Sequence, residues 1–209
     1  MTDARSPEPS IAAREPAEPA SPPPCHLLDL VAEGLLPAGW EETVAALADA
    51  PECLTLSRTD QWSFSVVQGD VVCDRLGWLW ELYHGVLRDF ATRACSRPVV
   101  AAARLRSTMT LNILSGPGAS SDWHRDNNAV TGLFFATART DGGGDLLFRD
   151  AAGRESAVTP RPGLFVCFPG AIEHRVAPIA DGRRLSLPMV YHDSTADQPP
   201  AYGDDVYVL

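Results

Sequence analysis

Apolar and polar positions along the chain change their rhythm near Pro98. Upstream the apolar spacing is helical. Leu27, Leu28 and Val31 give one apolar face and Trp40, Val44 and Leu47 a second, which predicts helices between residues 25 and 50, punctuated by Gly34, Pro37 and Gly39. Residues 75–95 carry the strongest pattern: Leu76, Leu79, Trp80, Tyr83, Leu87 and Phe90 recur at three- and four-residue intervals. That aromatic stripe reads as core, and His84 beside it as a helix-surface residue. Between the two helical stretches, Trp62–Val67 alternates as a strand does. Downstream of Pro98 come short β-rich runs at 99–103, 106–114, 130–137, 145–148, 164–168, 174–177 and 185–191, separated by Gly, Pro and Asp clusters. Many short strands predict a sandwich or barrel. Helices first and strands later predict a mainly β fold with a helical layer on one face.

Composition sets the boundaries. Residues 1–24 are rich in Pro, Ala, Ser and Glu, too poor in apolar surface to offset ordering entropy, and read as a disordered tail. Residues 25–98 read as an N-terminal helical support region and 99–209 as the β-core, with 25–209 forming a single domain. The formal charge of −10 argues against a nucleic-acid or anionic-membrane surface. All 17 basic residues are arginine, which excludes a Schiff-base or P-loop lysine. Five dispersed cysteines without a C-x-x-C argue against a disulfide framework and for a reducing compartment. With no signal-peptide pattern and no apolar run near the roughly 20 residues a membrane helix needs, the expectation is a soluble, cytoplasmic protein.

The candidate chemistry lies in the β-rich half. In an extended segment residues i and i+2 share a face, so His124 and Asp126 of S-D-W-H-R-D-N-N can both reach one ion while Arg125 points elsewhere. A third ligand must come from another strand, and His174 follows the turn Pro169-Gly170-Ala171. Two histidines and a carboxylate are the ligand set of a non-haem Fe(II) facial triad, which leaves metal positions open. Arg184, further on, suggests an organic acid as the occupant. His124-Arg125-Asp126 also spells the protein-kinase catalytic tripeptide, but Thr131 stands where that motif needs asparagine and the strand lysine is missing.

The ordered set of motifs resembles the 2-oxoglutarate/Fe(II)-dependent dioxygenases, in the prolyl-hydroxylase-like grouping. Gly116 and Gly118 precede His124-Arg125-Asp126. Gly143-Gly144-Asp145-Leu146-Leu147-Phe148, then Gly163-Leu164-Phe165-Val166-Cys167-Phe168, lead to His174, and Arg184-Leu185-Ser186 closes the series. The resemblance implies a double-stranded β-helix core, jelly-roll or cupin-like, behind N-terminal helices. It implies Fe(II) on His124, Asp126 and His174, with 2-oxoglutarate and O2 as cosubstrates. The far carboxylate of 2-oxoglutarate would pair bidentately with Arg184, and Ser186 would add a hydroxyl hydrogen bond. A tyrosine often contacts the cosubstrate in such proteins; here Phe135 stands at that place, so Asn112 or Thr131 is expected to supply the polar contact. Related halogenases lack the carboxylate ligand, so Asp126 favours hydroxylation, desaturation or ring formation over halogenation.

The implied function is oxidation of a small molecule, an amino acid or amino-acid-derived metabolite, free or carrier-bound, with release of succinate and CO2. Trp123, Asn127, Asn128 and Arg139 flank the motif as substrate candidates. Asn127-Asn128 reads more readily as a turn than as a substrate contact, and Arg106 is a further candidate for a substrate carboxylate. His192 reads as structural. Three alternatives remain open: a peptidyl or protein side-chain hydroxylase, a non-oxygenase cupin-like metalloenzyme that would not need Arg184, and a catalytically dead binding module.

Overall fold

A computed structural model describes residues 22–58, 62–102, 105–106, 108–137 and 142–194. The tail expected over residues 1–24 therefore lies almost wholly outside the described residues. Within them the chain forms eleven strands and four helices. The major sheet runs β1 (His26–Asp29), β9 (Leu164–Pro169), β6 (Val130–Phe135), β11 (Arg183–His192), β5 (Leu111–Ser115), β3 (Trp62–Val67) and β2 (Leu54–Arg58), with β4 (Val100–Ala101) also paired to β11. A minor sheet holds β10 (Glu173–Val176), β7 (Leu146–Arg149) and β8 (Glu155–Val158). All pairings are antiparallel. The helices are α1 (Trp40–Ala48), α2 (Gly69–Arg75), α3 (Gly77–His84) and α4 (Val86–Ala94).

The period-two alternation of the central strands sorts their side chains between two cores. Phe134, Phe165, Cys167, Leu185, Leu187, Met189 and Tyr191 pack with Trp40, Leu79, Tyr83 and Leu87 of the helices. Their sequence neighbours Leu133, Phe135, Leu164, Val166 and Phe168 pack with Leu146, Phe148 and Val158 of the minor sheet. One face of the major sheet is thus closed by helices, and the other faces the minor sheet. This is the mainly β architecture with a helical layer that the pattern predicts. All five cysteines are free.

Two helical expectations are corrected. His26–Asp29 is a strand, β1, paired in register with Leu164–Cys167. Four residues make barely one helical turn, and the edge of β9 offers a full set of backbone partners. Residues 75–95 form parts of three helices rather than one. The chain breaks after Arg75 and again at Gly85, whose φ of −108° and ψ of −107° lie outside the helical region. The break still leaves Tyr83 and Leu87 on the core side, both fully buried. The support region also contains β1, β2 and β3. Strand β8 gives little apolar signal because only Val158 of its four residues is buried. Among the described residues no helix is long and apolar enough to cross a membrane.

Candidate metal centre and anion pocket

His124 lies on an irregular segment pinned to β10 by a single antiparallel bridge to His174. The backbone hydrogen bonds of the bridge are reciprocal, His124 N to His174 O at 3.0 Å and His174 N to His124 O at 2.9 Å. A directly opposed pair puts both rings on one face, and their centroids are 4.3 Å apart. Asp126, two residues on, is held by its own N–H donating to Gly170 O at 2.9 Å. One ligand atom from each of His124, Asp126 and His174 lies within 4.8 Å of the other two.

The histidine tautomers follow from their partners. Nδ1 of His124 lies 2.7 Å from Asp122 O, and Nδ1 of His174 lies 2.9 Å from Ile172 O. A carbonyl only accepts, so each Nδ1 carries the proton and each Nε2 presents a lone pair. Those Nε2 atoms face the carboxylate, at 3.9 Å from Asp126 Oδ1 for His124 and 3.6 Å from Oδ2 for His174. Burial holds the His174 imidazole below its ordinary pKa, opposed by the Asp126 carboxylate and reinforced by His124. Phe168 and Phe148 pack against the His174 ring, with centroids 4.7 and 6.4 Å away. An oriented pair of imidazoles beside a carboxylate suits a divalent first-row metal.

Arg184 opens the second half of the site. On β11 it shares a face with Ser186, which pairs with Phe135 of β6 on one side and Asn112 of β5 on the other. Its Nε donates to Gly144 O at 3.0 Å and its Nη1 to Ser186 Oγ at 2.9 Å. Gly143 and its neighbour Gly144 both have φ near +80° (77° and 78°), a conformation that glycine adopts without strain and that delivers the Gly144 carbonyl to the guanidinium. The third nitrogen, Nη2, is buried with no hydrogen-bond partner among the described residues. Burial pulls the guanidinium down to about 10, with Asp145 opposing, so it stays charged at neutral pH. The Phe135 ring lies 5.1 Å from the Arg184 Cζ. Because Ser186 Oγ accepts from Arg184, its own proton remains to be donated. The Asn112 Oδ1 accepts from Thr110 at 3.0 Å, which turns its amide NH2 away from that partner. Guanidinium, hydroxyl and amide donors therefore sit on one inner face.

The other sequence candidates are placed as follows. Thr131 donates its hydroxyl proton to Asp126 Oδ2 and accepts from Asn128 Nδ2 at 2.9 Å, so both side chains already serve the carboxylate. Trp123 packs beneath two guanidinium groups, Arg149 at 3.8 Å and Arg175 at 4.8 Å from the ring centroid, on the face of the minor sheet opposite His174. Asn127 is exposed. Arg106 is paired with Asp70 at 2.9 Å. Arg139 lies outside the described residues. His192 is buried at the end of β11. Sequence reasoning missed Gly170, whose carbonyl tethers Asp126, and the Gly144 carbonyl; the Pro-Gly and Gly-Gly turns were their only signal.

No protein-family model matches the sequence, and no curated protein matches it either. Solved structures do match in fold. A prolyl hydroxylase from Trichoplax adhaerens, in complex with a hypoxia inducible factor oxygen degradation domain peptide fragment, is 15% identical with a TM-score of 0.63, covering 81% of this chain and 84% of that one. A 2OG-Fe(II) oxygenase family oxidoreductase from Burkholderia pseudomallei is 16% identical with a TM-score of 0.62, covering 82% and 86%. SnoN, a non-heme alpha ketoglutarate dependent epimerase of nogalamycin biosynthesis, is 16% identical with a TM-score of 0.59, covering 81% and 78%. The chain is thus a two-sheet β-protein with a His–Asp–His cluster between its sheets. Its fold is the one found in the 2-oxoglutarate/Fe(II) oxygenases, as the motifs led one to expect.

Proposed function

We propose that the chain is an Fe(II)- and 2-oxoglutarate-dependent oxygenase. The observation that carries this reading is Arg184: a buried guanidinium with an unpartnered Nη2, whose face-mate Ser186 pairs with Phe135 on the β6 strand that also carries Thr131, the residue bonded to Asp126. Asp145 opposes part of the cost of burying this charge but makes no hydrogen bond to Nη2, and a ligand carboxylate would supply the missing acceptor together with further negative charge. A metal barrel of the isomerase type has no need of it. His124, Asp126 and His174 would hold the iron. Arg184 and Ser186 would bind the distal carboxylate of 2-oxoglutarate, with the Asn112 amide as the further polar contact in place of the absent tyrosine. When bound, iron and 2-oxoglutarate supply an O2-dependent oxidative decarboxylation to succinate and CO2, coupled to oxidation of the substrate. The chain's own share is to fix the imidazole tautomers, orient the carboxylate and keep water from the guanidinium behind Phe135. SnoN, of the same fold, has been seen with Fe3+ and alpha ketoglutarate together with nogalamycin RO, which supports both the group and a small-molecule substrate.

The whole of residues 25–209 forms the catalytic domain in this reading, with the β-core over 99–209. The substrate is an amino acid or amino-acid-derived metabolite, free or carrier-bound. The Trichoplax neighbour, solved with a peptide fragment, favours peptidyl hydroxylation as the second reading. Anaerobic addition of 2-oxoglutarate to the Fe(II) protein should produce a visible charge-transfer band. Succinate release across amino acids and peptides, with product masses, then names the substrate class. Metal binding with no optical response to 2-oxoglutarate would instead point to a cupin-like metalloenzyme.

A further inference from the structure

We propose that Asn128 and Thr131 are positioning residues that set the rotation of the Asp126 carboxylate. The inference rests on the metal-binding reading of the cluster. A hydroxyl has one proton to give, and Thr131 gives it to Asp126 Oδ2, since a carboxylate only accepts. The hydroxyl could rotate away, but Asn128 Nδ2 donates to its oxygen at 2.9 Å and fixes its direction. Among the described residues no hydrogen bond is made to Oδ1, which leaves that oxygen as the one offered freely to a cation.

The support is rigid where the ligand is not. Thr131 is buried within β6, paired to Val190 of β11 on one side and Phe168 of β9 on the other. Asp126 lies on an irregular segment outside the strand ladders, tied at points by the His124–His174 bridge, Asp126 N to Gly170 O, Gly170 N to Ala129 O and Ala129 N to Tyr191 O. A sheet residue therefore steadies a loop carboxylate. With one oxygen tied down, the carboxylate is biased to ligate through a single oxygen, which leaves a metal position open for exogenous ligands. Thr131 consequently has no proton to offer a cosubstrate, and the cosubstrate's polar contact falls to Asn112.

The test is a Mn(II) titration of the metal-free full-length protein, read by electron paramagnetic resonance without 2-oxoglutarate. Thr131→Val, which keeps the shape and removes the hydroxyl, should weaken Mn(II) binding about 10- to 100-fold. Thr131→Ser should restore most of it, and Asn128→Ala should shift it in the same direction by less. Thr131→Val also leaves Asn128 Nδ2 and Asp126 Oδ2 without that partner, so its melting temperature should fall by a few degrees, and Mn(II) affinity is compared well below the transition. Equal Mn(II) affinity for Thr131→Val and wild type, alongside loss of binding in Asp126→Ala, overturns the relay and leaves the metal site standing. Equal affinity for Asp126→Ala and wild type overturns both.

Discussion

Replacing Arg184 with methionine separates stability from ligand binding. The guanidinium is 3% exposed, and burial brings its pKa from 12.5 to about 10. Because folding lowers the pKa of a base, the fold disfavours the charged form at every pH below about 10. The difference corresponds to about 3 kcal/mol of desolvation at neutral pH, net of the opposing Asp145 carboxylate. Against it stand the hydrogen bonds to Gly144 O and Ser186 Oγ, each worth about 1 kcal/mol. Methionine has a similar length and no charge to desolvate. Removing the guanidinium also strands Gly144 O and Ser186 Oγ and takes the positive charge away from Asp145, so the ligand-free Arg184→Met variant should stay within about 1 kcal/mol of wild type, moving Tm by no more than roughly 2–4 °C. Its affinity for 2-oxoglutarate should fall by about 2–5 kcal/mol, the cost of breaking a buried charge pair, or roughly 30- to 5,000-fold. Thermal melts of the metal-free protein and calorimetric titration of the Mn(II) form with 2-oxoglutarate measure the two effects. Wild-type affinity in the variant would remove Arg184 from the cosubstrate site. A Tm lower by more than that would show that the fold leans on the guanidinium without any ligand, through Gly144, Ser186 and Asp145.

Three further variants test how the site and the fold are held. A Cβ on Gly170 would meet Asn128 O at 2.3 Å and Asn128 Nδ2 at 3.2 Å. Gly170→Ala should therefore cost about 1–3 kcal/mol in urea unfolding and weaken Mn(II) binding by displacing the Asp126 segment. Gly77→Ala, where nothing lies within 4 Å, should be neutral or stabilising by about 0.5–1 kcal/mol. Tyr83 ties α3 to the sheet, its hydroxyl donating to Val190 O and accepting from Ala102 N. Tyr83→Phe should lose about 1–2 kcal/mol of stability with these two hydrogen bonds, leaving Ala102 N and Val190 O only their long 3.4 Å contact. Its Mn(II) affinity should stay at the wild-type value, because the ring lies on the helical side of the sheet.

The sequence exposed the chemistry more readily than the supports. His124, Asp126, His174, Arg184 and Ser186 could be picked out because each sits in a motif with a fixed offset, and period-two geometry says which members share a face. The same rule, carried one residue further, separates Trp123 from the metal side, since it alternates with His124. Its guanidinium partners could not be read in advance, because Arg149 and Arg175 lie on strands whose pairing depends on long-range register. The Gly170 and Gly144 carbonyls are backbone groups and leave no side-chain signature. Thr131 and Asn128 were legible as polar residues near the motif, but what they bond to depends on how the Asp126 segment folds back on β6 and β9. Strand β1 was misread as helix because four apolar-rich residues fit either period.

Strand β11 shows why the pocket and the core constrain each other. Leu185, Leu187, Met189 and Tyr191 enter the helical core, while the intervening Arg184 and Ser186 face the minor sheet. A register slip of one residue would send the guanidinium into that core and four core side chains into the pocket. Both neighbours resist the slip: Ser186 is opposed by Asn112 of β5 and by Phe135 of β6 at once. The apolar residues that stabilise the fold thereby hold a buried charge where it is least stable alone and most useful to an acid. The Tyr83 tie to Val190 adds an anchor from α3 on the same strand. Loosening that face, by truncating Leu187 or Met189, should act on the placement of Arg184 and Ser186 through register as well as on stability through lost burial.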